Sequence, residues 1–153
     1  MSNEIEWRLC RFGELSPVEL ARIYRARQLV FAIEQQSLYL DADGLDEVSW
    51  HIAGWSPTET LPLAYARLIG PGGKYAEPSM GRVITTAAGR GIGLGRELVR
   101  RVLELSAREF PGQGQRISAQ EHLAGFYAGF GFAAVGDVYM EDGIPHIEML
   151  RTG

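Results

Sequence analysis

The chain reads as a mixed α/β domain: one mixed, mostly antiparallel sheet with helices on both of its faces. Three observations carry this reading. Apolar residues recur at helical spacing before residue 36 and again after Arg90. Between those stretches lie three short apolar runs separated by turn formers, and two further short runs close the sequence. The resulting order is βα, βββ, αβα, ββ, in a single domain over residues 1–153 with no repeat or linker.

Taken in order, residues 5–10 alternate loosely and predict a first strand. Ser16-Pro17-Val18-Glu19 reads as a capping box with proline at the first helical position. Leu20, Ile23, Tyr24, Val30 and Phe31 then share one stripe, which predicts a helix to about residue 35. Residues 36–49 are polar and turn-rich and read as a loop. The runs 51–55, 63–69 and 80–85, divided by Ser56-Pro57 and by Gly70-Pro71-Gly72-Gly73, predict an antiparallel meander. Leu94, Leu98, Val102 and Leu105 mark a second amphipathic helix that stops near Phe110. A short strand over 116–119, a short helix over 122–130 and a hairpin of 132–139 with 146–150 complete the expected elements.

Composition narrows the function classes. Hydrophobic residues make up 46% of the chain and charged residues 22%, which suits a folded globular domain rather than a disordered one. Fifteen basic against 19 acidic side chains leave a net charge of −4, so no nucleic-acid partner is expected. Cys10 is the single cysteine, which excludes an intrachain disulfide and a cysteine-based metal site. No metal is expected elsewhere: Asp41-Ala42-Asp43-Gly44-Leu45-Asp46 resembles a calcium loop, but Asp46 and Ile52 stand where an EF-hand needs Gly and Glu. No signal peptide or membrane span is expected, and a reducing, cytoplasmic location follows.

Arg90-Gly91-Ile92-Gly93-Leu94-Gly95 lies between a strand and a helix. Alternate glycines let the backbone turn sharply, and the amides of residues 91–96 converge at a helix N-terminus, where an anion is favoured. A tight strand-to-helix turn would explain the glycines equally well. The spacing fits neither a Rossmann fingerprint, whose last glycine would fall on Leu94 or Arg96, nor a Walker A loop, whose Gly-Lys-Ser/Thr ending is missing.

The same six residues match the Arg/Gln-x-x-Gly-x-Gly/Ala loop with which the GNAT superfamily of N-acetyltransferases holds acetyl-coenzyme A. The run Phe126-Tyr127-Ala128-Gly129-Phe130-Gly131-Phe132 resembles that superfamily's second motif, and the order of elements is similar over essentially the whole chain. Val30-Phe31, Glu34-Gln35, Gly81-Arg82-Val83-Ile84, Ala119-Gln120 and Asp142-Gly143-Ile144-Pro145-His146-Ile147 resemble the bacterial ElaA-like branch. The resemblance implies a sheet splayed beside the 80–85 strand. It also implies a pantetheine arm paired with that strand, acetyl-CoA as cosubstrate and an amine acceptor (a small molecule or a lysine); relatives of this kind are often homodimers, but the sequence itself does not give the oligomeric state.

Direct attack of an amine on a thioester needs an oxyanion donor, an acid for the leaving thiolate and a base for the amine. The resemblance assigns the first to a main-chain amide near Val83 or Ile84 and the second to Tyr127, a group still protonated at neutral pH. Read without the family, Tyr127 is one aromatic among packed neighbours. For the base, His146 ranks first as an acceptor-side group, with His122 and Glu34 as further candidates; hydrogen bonding to backbone or a solvated helix end would explain each as well. His51 receives no role. Arg27 falls on the apolar stripe of the first helix, where a charge needs a partner; Asp41, Asp43 or Glu34 is expected to meet it and so pin the loop over the acceptor site. Trp50, Trp55 and Tyr39 are expected either to wall that site or to pack in the core. Two non-enzymatic readings compete, a sensor of acyl-CoA and an interaction domain. Tyr127 argues against the first, and the intact glycine loop against the second.

Overall fold

The computed structural model describes residues 4–153. Strands β1 (Glu6–Arg11), β2 (Trp50–Trp55), β3 (Ala64–Ile69) and β4 (Ser79–Thr85) pair in that order, each antiparallel to the next. The sequence periodicity shows directly in their burial. Ala64, Ala66 and Leu68 of β3 join one core cluster, while Tyr65 between them joins the other, as the two-residue repeat of a strand requires.

Helix α1 (Pro17–Gln28) covers the Tyr65 face with Ile23 and Ala26. Its capping box forms as expected: Glu19 N donates to Ser16 Oγ at 3.0 Å, and Ser16 N donates to Glu19 Oε1 at 2.8 Å. The expected single helix to residue 35 changes character at Leu29–Glu34, a π-helical segment closed by a bond from Gln35 N to Val30 O. The wider turn lets the adjacent Val30 and Phe31 both point inward while Ile33 is exposed.

Helix α2 (Leu94–Glu109) covers the opposite face with Leu98, Val99, Val102 and Leu105, all fully buried. After it, β5 (Gln115–Gln120) pairs with β8 (Ile144–Arg151), and β8 in turn pairs with β6 (Ala133–Ala134) and β7 (Tyr139–Glu141). The helix expected over 122–130 is shorter, with α3 spanning only Ala124–Ala128 after a 3-10 turn at Glu121–Leu123. Gly125, Gly129 and Gly131 explain the shortening through their low helix propensity. The strand expected over 132–139 is broken into β6 and β7, because Gly136 takes φ +87° and turns the chain away from β8. The hairpin that follows is tighter than expected. Asp142 and Gly143, at φ 51° and 79°, make a two-residue turn that sets Tyr139 opposite His146.

The expected splay is complete. Hydrogen-bonded ladders form two sheets of four strands each, and β4 and β5 lie side by side between them. Among the described residues they are tied at one end, by Arg116 N donating to Pro78 O at 3.1 Å and Met80 N donating to the Gln115 side chain at 3.0 Å. Among the described residues no helix is long and apolar enough to cross a membrane.

Candidate active site

Beyond that tie the two strands diverge, and a cavity opens between residues 80–83 of β4 and residues 117–120 of β5. A β-bulge shapes the β4 wall. Tyr65 faces Ile84 and Arg67 faces Gly81, so Ala66 alone opposes both Arg82 and Val83. Arg82 sits at φ +51°, an uncommon conformation for a side chain of its size. Val83 lines the cavity from this bulge, where the ladder to β3 is interrupted, whereas Ile84 turns into the core and does not line it.

The 90–95 loop follows β4 directly. Gly91 and Gly93 take φ near +80°, and a Cβ on either would meet no protein atom within 4 Å, so the loop faces open space. Gly93 is the N-cap of α2, and the first intrahelical bond runs from Glu97 N to Gly93 O at 3.2 Å. The amides of Leu94, Gly95 and Arg96 therefore have no helical acceptor. Ile92 is exposed, while the Leu94 side chain belongs to the core, so Leu94 offers the loop only its backbone. Arg90 bends back instead of reaching outward: its guanidinium donates to Thr85 O at 2.7 Å and to Glu34 Oε1 at 2.6 Å. The glycine loop and the aromatic motif adjoin each other, since a Cβ on Gly95 would lie 3.8 Å from Phe126 Cζ.

Tyr127 of α3 lines the cavity with 5% exposure, and its hydroxyl has no hydrogen-bond partner among the described residues. Burial pushes the phenol up to about 12. His146 lines the same cavity from β8. Its Nδ1–H donates to Ile144 O at 2.8 Å, which leaves Nε2 as the acceptor of the neutral ring, 3.6 Å from Glu141 Oε2. Its ring stacks on Tyr139, whose hydroxyl is hydrogen-bonded to Ser118 Oγ, also in the cavity wall. Tyr39 lines the cavity too.

Other sequence candidates lie elsewhere. Glu34 is held by Arg90 outside the cavity wall, although its neighbour Gln35 lines the cavity and accepts from Gln120 Nε2 at 3.1 Å. His122 is exposed on the turn before α3 and does not line the cavity. His51 is buried between the Tyr65 hydroxyl at 2.6 Å and Asp46 O at 2.8 Å; burial lowers its pKa. Trp50 and Trp55 do not line the cavity and pack against the core. Ser118, Glu141 and Lys74 are cavity residues that sequence reasoning missed, as is Tyr139, which stands behind Ser118 and His146. Tyr139 and Glu141 had a usable signal, because a two-residue Asp-Gly turn fixes which residues face His146.

A latch of ion pairs closes the far side. Arg27, fully buried on α1, donates to Asp41 at 2.9 Å and to Asp46 at 2.7 Å. Asp43 and Glu34, the other expected partners, are engaged by Arg67 and Arg90, at 2.6 Å each. Arg67 also reaches Asp46 at 3.1 Å, and Arg82 of the bulge lies 2.9 Å from Asp41 and 3.3 Å from Asp43. Burial alone would raise the pKa values of Asp43 and Asp46. The arginine hydrogen bonds outweigh it and hold both below the usual carboxylate range. Thus the loop is pinned by Arg27, as its place on the apolar stripe predicts, with Asp46 as the additional partner.

Comparison with known proteins agrees with this geometry. A family model described as an acetyltransferase (GNAT) domain matches residues 46–152. A UPF0039 protein of Synechocystis sp. is 49% identical over 147 residues, covering 96% of this chain and 95% of that one. The crystal structure of an acyl-CoA N-acyltransferase from Pseudomonas aeruginosa superposes with a TM-score of 0.91 at 37% identity, covering 97% of this chain and 100% of that one. The crystal structure of Escherichia coli ElaA gives a TM-score of 0.89 at 38% identity, over 97% and 99% of the two chains. With the splayed sheet, the bulged β4 and the open glycine loop in place, the chain belongs to the GNAT acetyltransferase family, in the branch that holds ElaA.

Proposed function

We propose that this protein transfers the acetyl group of acetyl-CoA directly to an amine, carried either by a small molecule or by a lysine. The observation that carries the reading is the meeting of two unspent features beside β4. Three free amides open α2, and a buried phenol without a partner lines the adjoining cavity. The pyrophosphate is received by the amides of residues 91–96, with Gly91 and Gly93 giving it room. The thioester then lies along the bulged part of β4, where the Val83 amide is the oxyanion donor.

The amine attacks the thioester carbonyl, the C–S bond breaks, and Tyr127 gives its proton to the departing thiolate. His146 Nε2 is the acceptor for the ammonium proton, because Ile144 O holds the ring proton on Nδ1. No covalent enzyme intermediate is needed; Cys10 is buried in β1 and does not line the cavity. The cytoplasm is the compartment that suits a coenzyme-dependent enzyme with one reduced cysteine.

The test is a thermal shift with acetyl-CoA, coenzyme A and NAD on wild type and on Gly93→Glu. A rise with both coenzymes, absent with NAD and lost in the variant, supports the reading. An acceptor screen that follows thiol release then identifies the amine. No rise at saturating coenzyme would sink it.

A further inference from the structure

Lys74 is the only lysine of the chain; the other basic side chains counted with it are all arginine. That one side-chain amine lines the cavity of the proposed transfer site, on the loop between β3 and β4. The other cations of that wall, Arg67 and Arg82, are paired with Asp43, Asp41 or Asp46. Lys74 has no carboxylate within ion-pair reach among the described residues; its Nζ lies 5.4 Å from the centre of the Tyr75 ring. The surrounding charges are Glu141 and Asp43 on one side and Arg82 and Arg67 on the other. Lys74 is exposed at the cavity mouth, and the wall it lies against still removes part of its hydration, so the ammonium loses its proton more readily than an ordinary lysine. Four methylenes on a loop that also carries Gly70, Gly72 and Gly73 give the amine reach.

We propose that Lys74 is itself an acceptor, so that the protein acetylates its own cavity wall when no external amine occupies the site. The proposal rests on the acetyl-CoA reading above. The neutral Lys74 amine attacks the thioester carbonyl, an N–C amide bond forms and the C–S bond breaks. The nitrogen gives up a proton to His146 or water, and the thiolate leaves as coenzyme A with a proton from Tyr127. The product is a neutral amide where the wall had its one cation without a carboxylate partner. It both fills space in the cavity and removes a charge that repels cationic acceptors, so self-acetylation changes which amines the site admits.

The experiment incubates the full chain with acetyl-CoA and no acceptor, then maps tryptic peptides by mass spectrometry. Acetylation blocks cleavage after Lys74 and leaves the 68–82 peptide whole. Expected is one acetyl group at Lys74, appearing roughly a hundredfold faster than in Gly93→Glu, whose carboxylate repels the pyrophosphate from the α2 N-terminus. An excess of coenzyme A should suppress it in the same way without any substitution. Equal labelling in Gly93→Glu or under excess coenzyme A would overturn the proposal, as would an unmodified Lys74. A thermal shift run in parallel separates the two claims. A coenzyme shift with Lys74 unmodified defeats self-acetylation alone, and no shift defeats the transferase reading and self-acetylation together.

Discussion

In the loop carrying Asp41, Asp43 and Asp46, every carboxylate is met by an arginine, and one oxygen of Asp46 serves two of them. In the loop carrying Gly91 and Gly93, the polar groups are backbone amides, and the fold supplies the opening amides of α2 with no helical acceptor. Both loops concentrate charge, yet one is closed within the protein and the other is left for something outside it. The difference teaches how to separate architecture from binding: a polar group matched inside the fold stabilises it, whereas an unmatched group facing open space is available to a ligand.

The largest expected effect breaks the closed side. Asp46→Asn leaves Arg27 and Arg67 buried with their shared carboxylate gone, and should cost roughly 3–5 kcal/mol in urea denaturation. A loss below about 1 kcal/mol would mean that the latch is not what holds the 41–46 loop. On the open side, Tyr127→Phe should lower kcat roughly a hundredfold while the coenzyme thermal shift stays at the wild-type value. The phenol, pushed up to about 12, stays protonated through neutral and mildly basic pH. The wild-type rate should therefore show no basic fall between about pH 8 and 10, and a fall there that Tyr127→Phe abolishes would mean that the phenol titrates well below that raised value.

Acid distinguishes the loops again. Asp43 and Asp46 titrate lower in the folded chain than in the unfolded one, so their stabilisation is complete above the unfolded value of about 3.9. It drains away as pH falls through the lower folded values. Urea midpoints should drop steeply below about pH 4, and less steeply in Asp43→Asn. Gly93→Ala should cost only about 1–2 kcal/mol, the strain of a side chain at φ +80°, because a Cβ there touches nothing. Smallest is Glu34→Gln: its partly exposed pair with Arg90 should change stability by no more than about 1 kcal/mol.

Residues whose roles are set by near neighbours were legible in the sequence. The capping box of Ser16 and Glu19, the α2 stripe and the Gly91–Gly93 turn all form as their spacing predicts. Arg27 was legible as a contradiction, a charge on an apolar stripe, and its role as a pin followed. Its partners were only half legible: three aspartates lie within six residues, and which one reaches it depends on how Arg67 and Arg82 arrive from other strands. Glu34 matched a motif yet turns to Arg90, 56 residues later in the chain. Lys74 and Ser118 line one cavity only because β4 and β5 part, an event with no local signature. The π-helical turn at Leu29–Glu34 was hidden for a different reason. Its apolar pattern differs from that of an α-helix by one residue, too little to read in a single turn.

The bulge at Arg82 joins the two loops' fates. Its side chain ends on Asp41 and Asp43, and its backbone is bonded to that of Val83, the proposed oxyanion donor. Reciprocity then binds them: whatever steadies one end must steady the other by the same free energy. A thioester seated against β4 should slow hydrogen exchange in the aspartate loop, although it touches none of those residues. Loosening that loop should in turn weaken the hold on the acyl group, so the stability of a distant turn becomes part of the enzyme's affinity.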